Sequence, residues 1–341
     1  MGPTLLLDKS AFQSLLSKEM IKVSKYFDWN RVDILLMEII GDFTKKTRTT
    51  SPRNEASILA DKVSLFNSYQ NVCYIQLLLA NLQGHYVTMD GRPIVAFDTV
   101  AQIDNGQTGA LIDESSFCDM IHRWQQDKFT EKDMALAKMW QDIKSRCHKM
   151  ADNYIPLLNS YHIIFPSCTN VIDMKREVDK LLRNPNIQST FLAMLLHYQG
   201  VDSKRKEIIK YRIKQQPYPL QLASPYAFYC ITVFAFFLAS RKHNLLARKK
   251  PDDQIDLEYL FYLPFCKVFS SNDNLHKLLV PCLINSNQVF VTGSDLKKGI
   301  HEVDTPPIYK ETMNAMGSPI PRMAENSLIR SIWKSTKWLY N

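Results

Sequence analysis

Four acids stand where short apolar runs meet helical patterns. Asp8 follows Thr4-Leu-Leu-Leu7, and Glu38 lies in Val32-Asp-Ile-Leu-Leu-Met-Glu38-Ile-Ile40. Asp256 heads Ile255-Asp-Leu-Glu-Tyr-Leu-Phe-Tyr-Leu263, and Asp273 follows Phe265-Cys-Lys-Val-Phe-Ser-Ser-Asn272. A carboxylate just past the C-terminal end of a strand is where open α/β sheets build their sites. If these acids converge they repel: two unit charges about 4 Å apart cost roughly 4 kcal/mol at an effective dielectric near 20. A hard divalent cation relieves that repulsion. Mg2+ takes one or two carboxylates with waters and phosphate oxygens, and Mn2+ accepts a similar set. The chemistry indicated is in-line hydrolysis of a phosphodiester, with the ion polarising the phosphate and activating water.

Each acid also has a plainer account. Asp8 could cap a helix beginning near Ser10, and Asp256 could be an ordinary N-cap, a role worth about 1 kcal/mol. Glu38, beside Met37, Ile39 and Ile40, reads equally as a surface acid. Asp42 lies one turn further along the same face and reads as solvated charge, as do Asp252, Asp253 and Glu258.

The elements that must position these acids fall at the two ends of the chain. Thr4 to Leu7 has strand character, and a helix follows through Leu16. A connection through Tyr26, Phe27 and Trp29 leads to a second strand and helix within 32–42. Such a βαβα opening predicts a parallel sheet. Late in the chain, Leu257, Leu260, Phe261 and Leu263 recur at helical spacing until Pro264 stops the helix, and Phe265 to Phe269 has strand length. Gln288 to Thr292 is a last strand candidate, with Gly293 to Gly299 as the turn after it.

The middle of the chain reads as mostly helical. Lys45 to Arg53 is a polar break, and Glu55 to Leu82 keeps helical intervals up to a stop at Gly84. A loop over 86–109 contains the turn signal Asp90-Gly91-Arg-Pro93. Helices are expected over 116–127, 131–154 (capped by Thr130), 171–182, 187–198, 204–214 and 225–247, with Lys249 to Gln254 as an exit linker. The segment 302–322 holds four prolines and reads as extended, and a basic aromatic helix candidate with Trp333 and Trp338 ends the chain.

The ordered acids resemble the PIN-domain nucleases. That family's pattern is a first-strand Asp with a small polar residue nearby, a Glu early in the second helix, an Asp opening a late helix, and Ser/Thr-x-Asp after the following strand. Here these are Asp8 with Ser10, Glu38, Asp256, and Ser271-Asn272-Asp273. The resemblance covers roughly 1–45 and 250–300. It implies a PIN-like α/β fold, a parallel sheet flanked by helices, whose two parts are 1–45 and 251–300. A large helical insertion over 46–250 interrupts it and 301–341 forms a tail. About two hundred residues separate Glu38 from Asp256, more than a compact PIN domain needs.

The resemblance further implies metal-dependent cleavage of RNA or single-stranded nucleic acid with Mg2+ or Mn2+. Asp8 and Asp273 would be the central ligands, and Glu38 and Asp256 would complete the pocket directly or through water. Ser10 and Ser271 would hold the loops or a water. The rival is a non-catalytic module of the same fold that binds nucleic acid or protein.

Composition narrows the remaining classes. A net charge of +8 permits a polyanionic partner. The densest basic runs hold Lys204, Arg205, Lys206 and Lys210, then Arg241, Lys242, Arg248, Lys249 and Lys250. They would meet phosphates without base specificity, or they are solvated helix faces. Seven cysteines with no Cys-x-x-Cys pair argue for a reduced compartment and against a disulfide framework. Cys118 with His122, and Cys147 with His148, lack partners at zinc-ligand spacing. Leu5 to Leu7 is too short for a signal core, so the cytoplasm is expected. Tyr226 to Ala239 falls short of a membrane span and reads as a core helix, with an anchor formed together with Trp333 and Trp338 as the other reading. No membrane association is expected, and a protein partner would sit on the insertion or the C-terminal aromatic segment. Phosphate-loop, nucleophile-elbow and His-Glu-x-x-His motifs are absent, which removes those enzyme classes.

Overall fold

Thr4-Leu-Leu-Leu7 becomes the central strand of a parallel sheet, and its three leucines are fully buried. A strand covered on both faces reads as a continuous apolar run, as this one does. The computed structural model describes residues 2–44, 53–65, 68–95, 100–103, 107–110, 115–246, 253–303, 323 and 326–337. Its strands are β1 (Thr4–Leu7), β2 (Asp28–Arg31), β3 (Ser68–Gln70), β4 (Val100–Ile103), β5 (Gln107–Ala110), β6 (Val268–Ser270) and β7 (Val289–Val291). The helices of the first part are α1 (Lys9–Ser14), α2 (Ser17–Val23), α3 (Asp33–Ile40), α4 (Glu55–Val63) and α5 (Tyr74–Gln83). The middle adds α6 (Ser115–Gln125), α7 (Glu131–Ser160), α8 (Val171–Leu181), α9 (Pro185–Tyr198), α10 (Ser203–Gln215), α11 (Leu220–Ala223) and α12 (Pro225–Lys242). The last part contributes α13 (Asp253–Leu260), α14 (Asn274–Leu279), α15 (Gly293–Glu302) and α16 (Leu328–Ser335).

The five-stranded sheet runs β3-β2-β1-β6-β7 and is parallel throughout, so the chain is α/β. Leu6 lies level with Asn30 on one side and Phe269 on the other. The chain steps outward from β1 to β3, leaves through the helical middle, and returns as β6 on the other flank of β1. The strand order therefore reverses between β1 and β6, and the crevice at their carboxyl ends is where such sheets bind ligands. Around it α15 packs on α1 and α2, and α13 on α3 and α7.

Several sequence expectations shift. The second strand is Asp28–Arg31, ahead of Val32, and everything from Asp33 to Ile40 is helix. Asn30 and Arg31 hid it: both are buried, Asn30 donating to the Phe265 carbonyl (2.8 Å) and Arg31 to Gln70 (2.7 Å) and Ser68 (2.7 Å). The continuous helical pattern over 55–82 is broken by β3, which joins the sheet. The sheet thus draws a strand from beyond residue 46. Gly84 does end α5, with a left-handed φ of 102°. The expected loop over 86–109 contains the β4–β5 hairpin, and Gly293 to Gly299 is not a turn but most of α15, capped by Thr292. Polar residues 45–52, the linker residues 249–252 and the proline-bearing 304–322 lie outside the described residues, as do Trp338 and Leu339.

Helix α12 is a core helix. Pro225 opens it, thirteen consecutive residues from Cys230 to Lys242 are buried save the last, and it packs on α5, α8 and α9. Among the described residues no helix is long and apolar enough to cross a membrane. Trp333 is buried with Ile329 and Ile332 on the face of α16, which packs on α15, so it is no exposed anchor.

Candidate functional site

Asp8 follows the last residue of β1, and its amide donates to the Ser270 carbonyl (3.1 Å), extending the sheet by one bond. Its carboxylate caps α1 by accepting from the Ala11 amide (2.8 Å), so the plain capping role is real. The same carboxylate does more. Ser10 Oγ donates to it (2.8 Å), and Ser271 Oγ donates to Oδ2 (2.6 Å) from the loop after β6. Ser10 Oγ accepts from the Asn272 amide (2.9 Å), and Ser271 Oγ accepts from the Asp273 amide (2.9 Å). The two serines thus tie the β1 and β6 loops together at the switch point. Asp273 caps α14, accepting from the Leu275 amide (2.7 Å).

The other two acids come from helices. Glu38 lies in the second turn of α3, and its Oε2 accepts from Tyr259 (2.6 Å) on α13. Asp256 lies inside α13, which begins at Asp253, so it is not an N-cap. Among the described residues none donates a hydrogen bond to its carboxylate. Burial above all raises the Asp256 pKa well above the usual carboxylate range; the charge of His276 opposes this, while Asp273, Glu38 and Asp8 add to it. The four acids therefore share one electrostatic neighbourhood. Burial also raises Glu38, with Lys9 and the Tyr259 hydroxyl opposing and Asp8 contributing.

Sequence reasoning missed the positive groups. His276, fully buried on α14, places Nδ1 2.8 Å from Ser271 Oγ and 3.4 Å from Asp8 Oδ2, and Nε2 2.7 Å from the Asp256 carbonyl. A carbonyl only accepts, so Nε2 carries a proton. Ser271 gives its proton to Asp8, so Nδ1 donates as well, which makes the ring an imidazolium. Burial alone would lower its pKa, but the bond to Asp8 and the charges of Asp256 and Asp8 raise it to about 9. Lys9 donates to the Glu38 carbonyl (3.0 Å) and pairs with Asp42 (2.7 Å). Asp42 is buried, not solvated. His276 stands three residues after Asp273, and Tyr259 three after Asp256, one helical turn in each case, but that spacing alone names no contact.

Two further acids leave the solvated class. Glu258 is half-buried beside Asp33 and accepts from Tyr198 (3.5 Å); desolvation foremost, then Asp33, pushes its pKa up to about 8. Asp253 is buried and pairs with Arg241 (3.2 Å). That pairing turns Arg241 inward at 6% exposure and takes it off the surface expected to meet phosphates. Lys242 donates to Asn159 (2.7 Å), while Arg248, Lys249 and Lys250 lie outside the described residues. Lys204, Arg205 and Lys210 are exposed on α10 and Lys206 is half-buried. That helix is tied by Arg212 to the Leu82 carbonyl, about 12 Å along α5 from its start after β3.

Chemically the acid set suits a hard cation and not a soft one. Every candidate donor is a carboxylate oxygen, and the repulsion from Asp273, Glu38 and Asp8 that adds to the effect of burial on Asp256 is what a cation would offset. Among the described residues no three His, Cys, Asp or Glu side chains are grouped so as to hold a metal ion, so the four acids form no ready-made cage for one by themselves. Mg2+ needs only one or two carboxylates when waters and phosphate complete its shell. Side chains of Cys147 and His148 lie outside the described residues. Compared with protein-family models, curated proteins and solved structures, the chain has no match.

Proposed function

We propose that the chain is a PIN-like, divalent-metal-dependent nuclease acting on RNA or other single-stranded nucleic acid. The observation that carries this reading is the shared electrostatic neighbourhood of Asp8, Glu38, Asp256 and Asp273 at the carboxyl-end crevice of a parallel sheet. Asp8 and Asp273 would hold Mg2+ or Mn2+, with Glu38 and Asp256 reaching it directly or through water. When bound, the ion would supply Lewis-acid polarisation of a phosphate and offset the carboxylate charge. The chain's own part is to hold geometry. Ser10, Ser271 and the Ala11 amide fix the Asp8 carboxylate, and the His276 imidazolium balances part of the negative charge before any ion arrives.

One observation favours the second reading, a non-catalytic binding module: both Asp8 oxygens already accept internal hydrogen bonds. Incubating the full chain with labelled single-stranded RNA and DNA, with Mn2+, with Mg2+ and with chelator, separates the two. The nuclease reading expects metal-dependent cleavage that falls at least a hundredfold in the Asp8→Asn, Asp273→Asn double variant, circular dichroism remaining unchanged. Binding without cleavage, identical in the variant, overturns it in favour of the module.

A further inference from the structure

Helices α9 and α10 leave a groove of about 360 Å³ between them. Leu192 and Leu196 from α9 and Ile209 and Ile213 from α10 line it, with Ala193 as a small, exposed residue between the two leucines. Lys206, Lys210 and Lys214 border it, each four residues from the next and so one above another on a single flank of α10. Lys206 and Lys214 have no acidic partner among the described residues, and Lys210 reaches only Glu207, at 3.6 Å on its own helix. Glu207 also lines the groove, so an aliphatic floor meets a flank of three lysines and one acid that keeps a net positive charge.

The helix that carries this row is held firmly. Asp202 caps α10 through the Arg205 amide (2.9 Å), Ile209 is buried, and Arg212 is fixed on the Leu82 carbonyl. A nucleic acid would use the lysines and leave the floor bare, since none of the residues lining the groove offers an aromatic face on which a base could stack. A polypeptide helix uses both halves. Its apolar side chains at i, i+3, i+4 and i+7 enter such a floor, and acids on one flank meet the lysines. Thirteen residues give α10 a length of about 20 Å, which matches three to four turns of a partner helix.

We propose that the α9–α10 groove docks an acidic amphipathic helix of a partner protein, with leucine-type side chains on the floor and Asp or Glu facing Lys206, Lys210 and Lys214. This is independent of the nuclease reading. The test uses the full chain and two labelled helical peptides with leucines on one face, one flanked by Glu and the other by Lys, read by fluorescence anisotropy. The Glu peptide is expected to bind. Ala193→Trp or Ser189→Trp, which fill the groove without touching charge, should weaken it at least tenfold. The Lys206→Glu, Lys210→Glu, Lys214→Glu variant should lose the Glu peptide and take up the Lys peptide. Failure of the Glu peptide to bind, or binding insensitive to both tryptophan variants, overturns the proposal. So does displacement of the bound peptide by poly(U) at lower concentration than by unlabelled peptide, which would make the face a nucleic-acid surface.

Discussion

Burial of Glu258 beside Asp33 pushes its pKa up to about 8 from an ordinary 4.5, with Tyr74 and Tyr198 opposing. Below the ordinary value both folded and unfolded chains hold the proton. Between the two values only the folded chain does, so stability falls as pH rises through that window and levels off above about 8. Glu258→Gln keeps the hydrogen bonding and removes the titration. It should melt several degrees above the parent chain near pH 9 and converge with it near pH 5 in thermal scans. His276 acts in the same direction. Its stabilisation is complete below about 6.5 and is lost as pH climbs through about 9. The placement of Asp8 and Asp273 just after strands was legible because each follows a short apolar run. His276 and Tyr259 were not, because a single sequence does not show which face of a short helix turns toward a charge.

The elements with a long apolar run were the readable ones. Helix α12 reads from sequence as a core helix and is one, and its Phe234 packs edge-on to Tyr154 (ring centroids 5.7 Å) and tilted against Tyr198 (5.4 Å). Phe234→Ala should cost about 3–5 kcal/mol, measured as a lower urea midpoint with unchanged slope. Strand β3 escaped because Ser68-Tyr-Gln70 is a three-residue edge strand with no apolar alternation, Tyr69 being exposed. Helix α15 escaped because Gly293 and Gly299 suggested a turn. Gly293 is there for space: a Cβ would lie 2.9 Å from Ala11 of α1 and 2.7 Å from the side-chain Nδ2 of Asn272. Close packing of α15 on α1 selects the glycine, not a reversal of the chain.

At the scale of the whole molecule, β1 pairs with β2 from its own end of the chain and with β6 from the other. A chain cut after residue 246 would keep β1 with an open edge of unpaired amides and carbonyls beside Leu5, Leu6 and Leu7. Such a fragment should be insoluble alone, and co-expression with residues 247–341 should return it to the soluble fraction; a soluble, monomeric fragment would show that the helical middle suffices to close the sheet. The parallel sheet was legible from the two ends of the sequence. The membership of β3 was not, because register between distant segments is set by partners the local pattern does not name.

Asp8 and Asp273 are far apart in the sequence but joined through Ser271 in the crevice. A ribosome adding about 5–20 residues per second needs on the order of ten seconds to a minute to travel from one to the other. During that interval Asp8 has neither Ser271 nor His276 beside it. Whatever the crevice does, it cannot begin before α14 has been made, so a chain terminated ahead of Ser271 carries Asp8 without the partners that hold it.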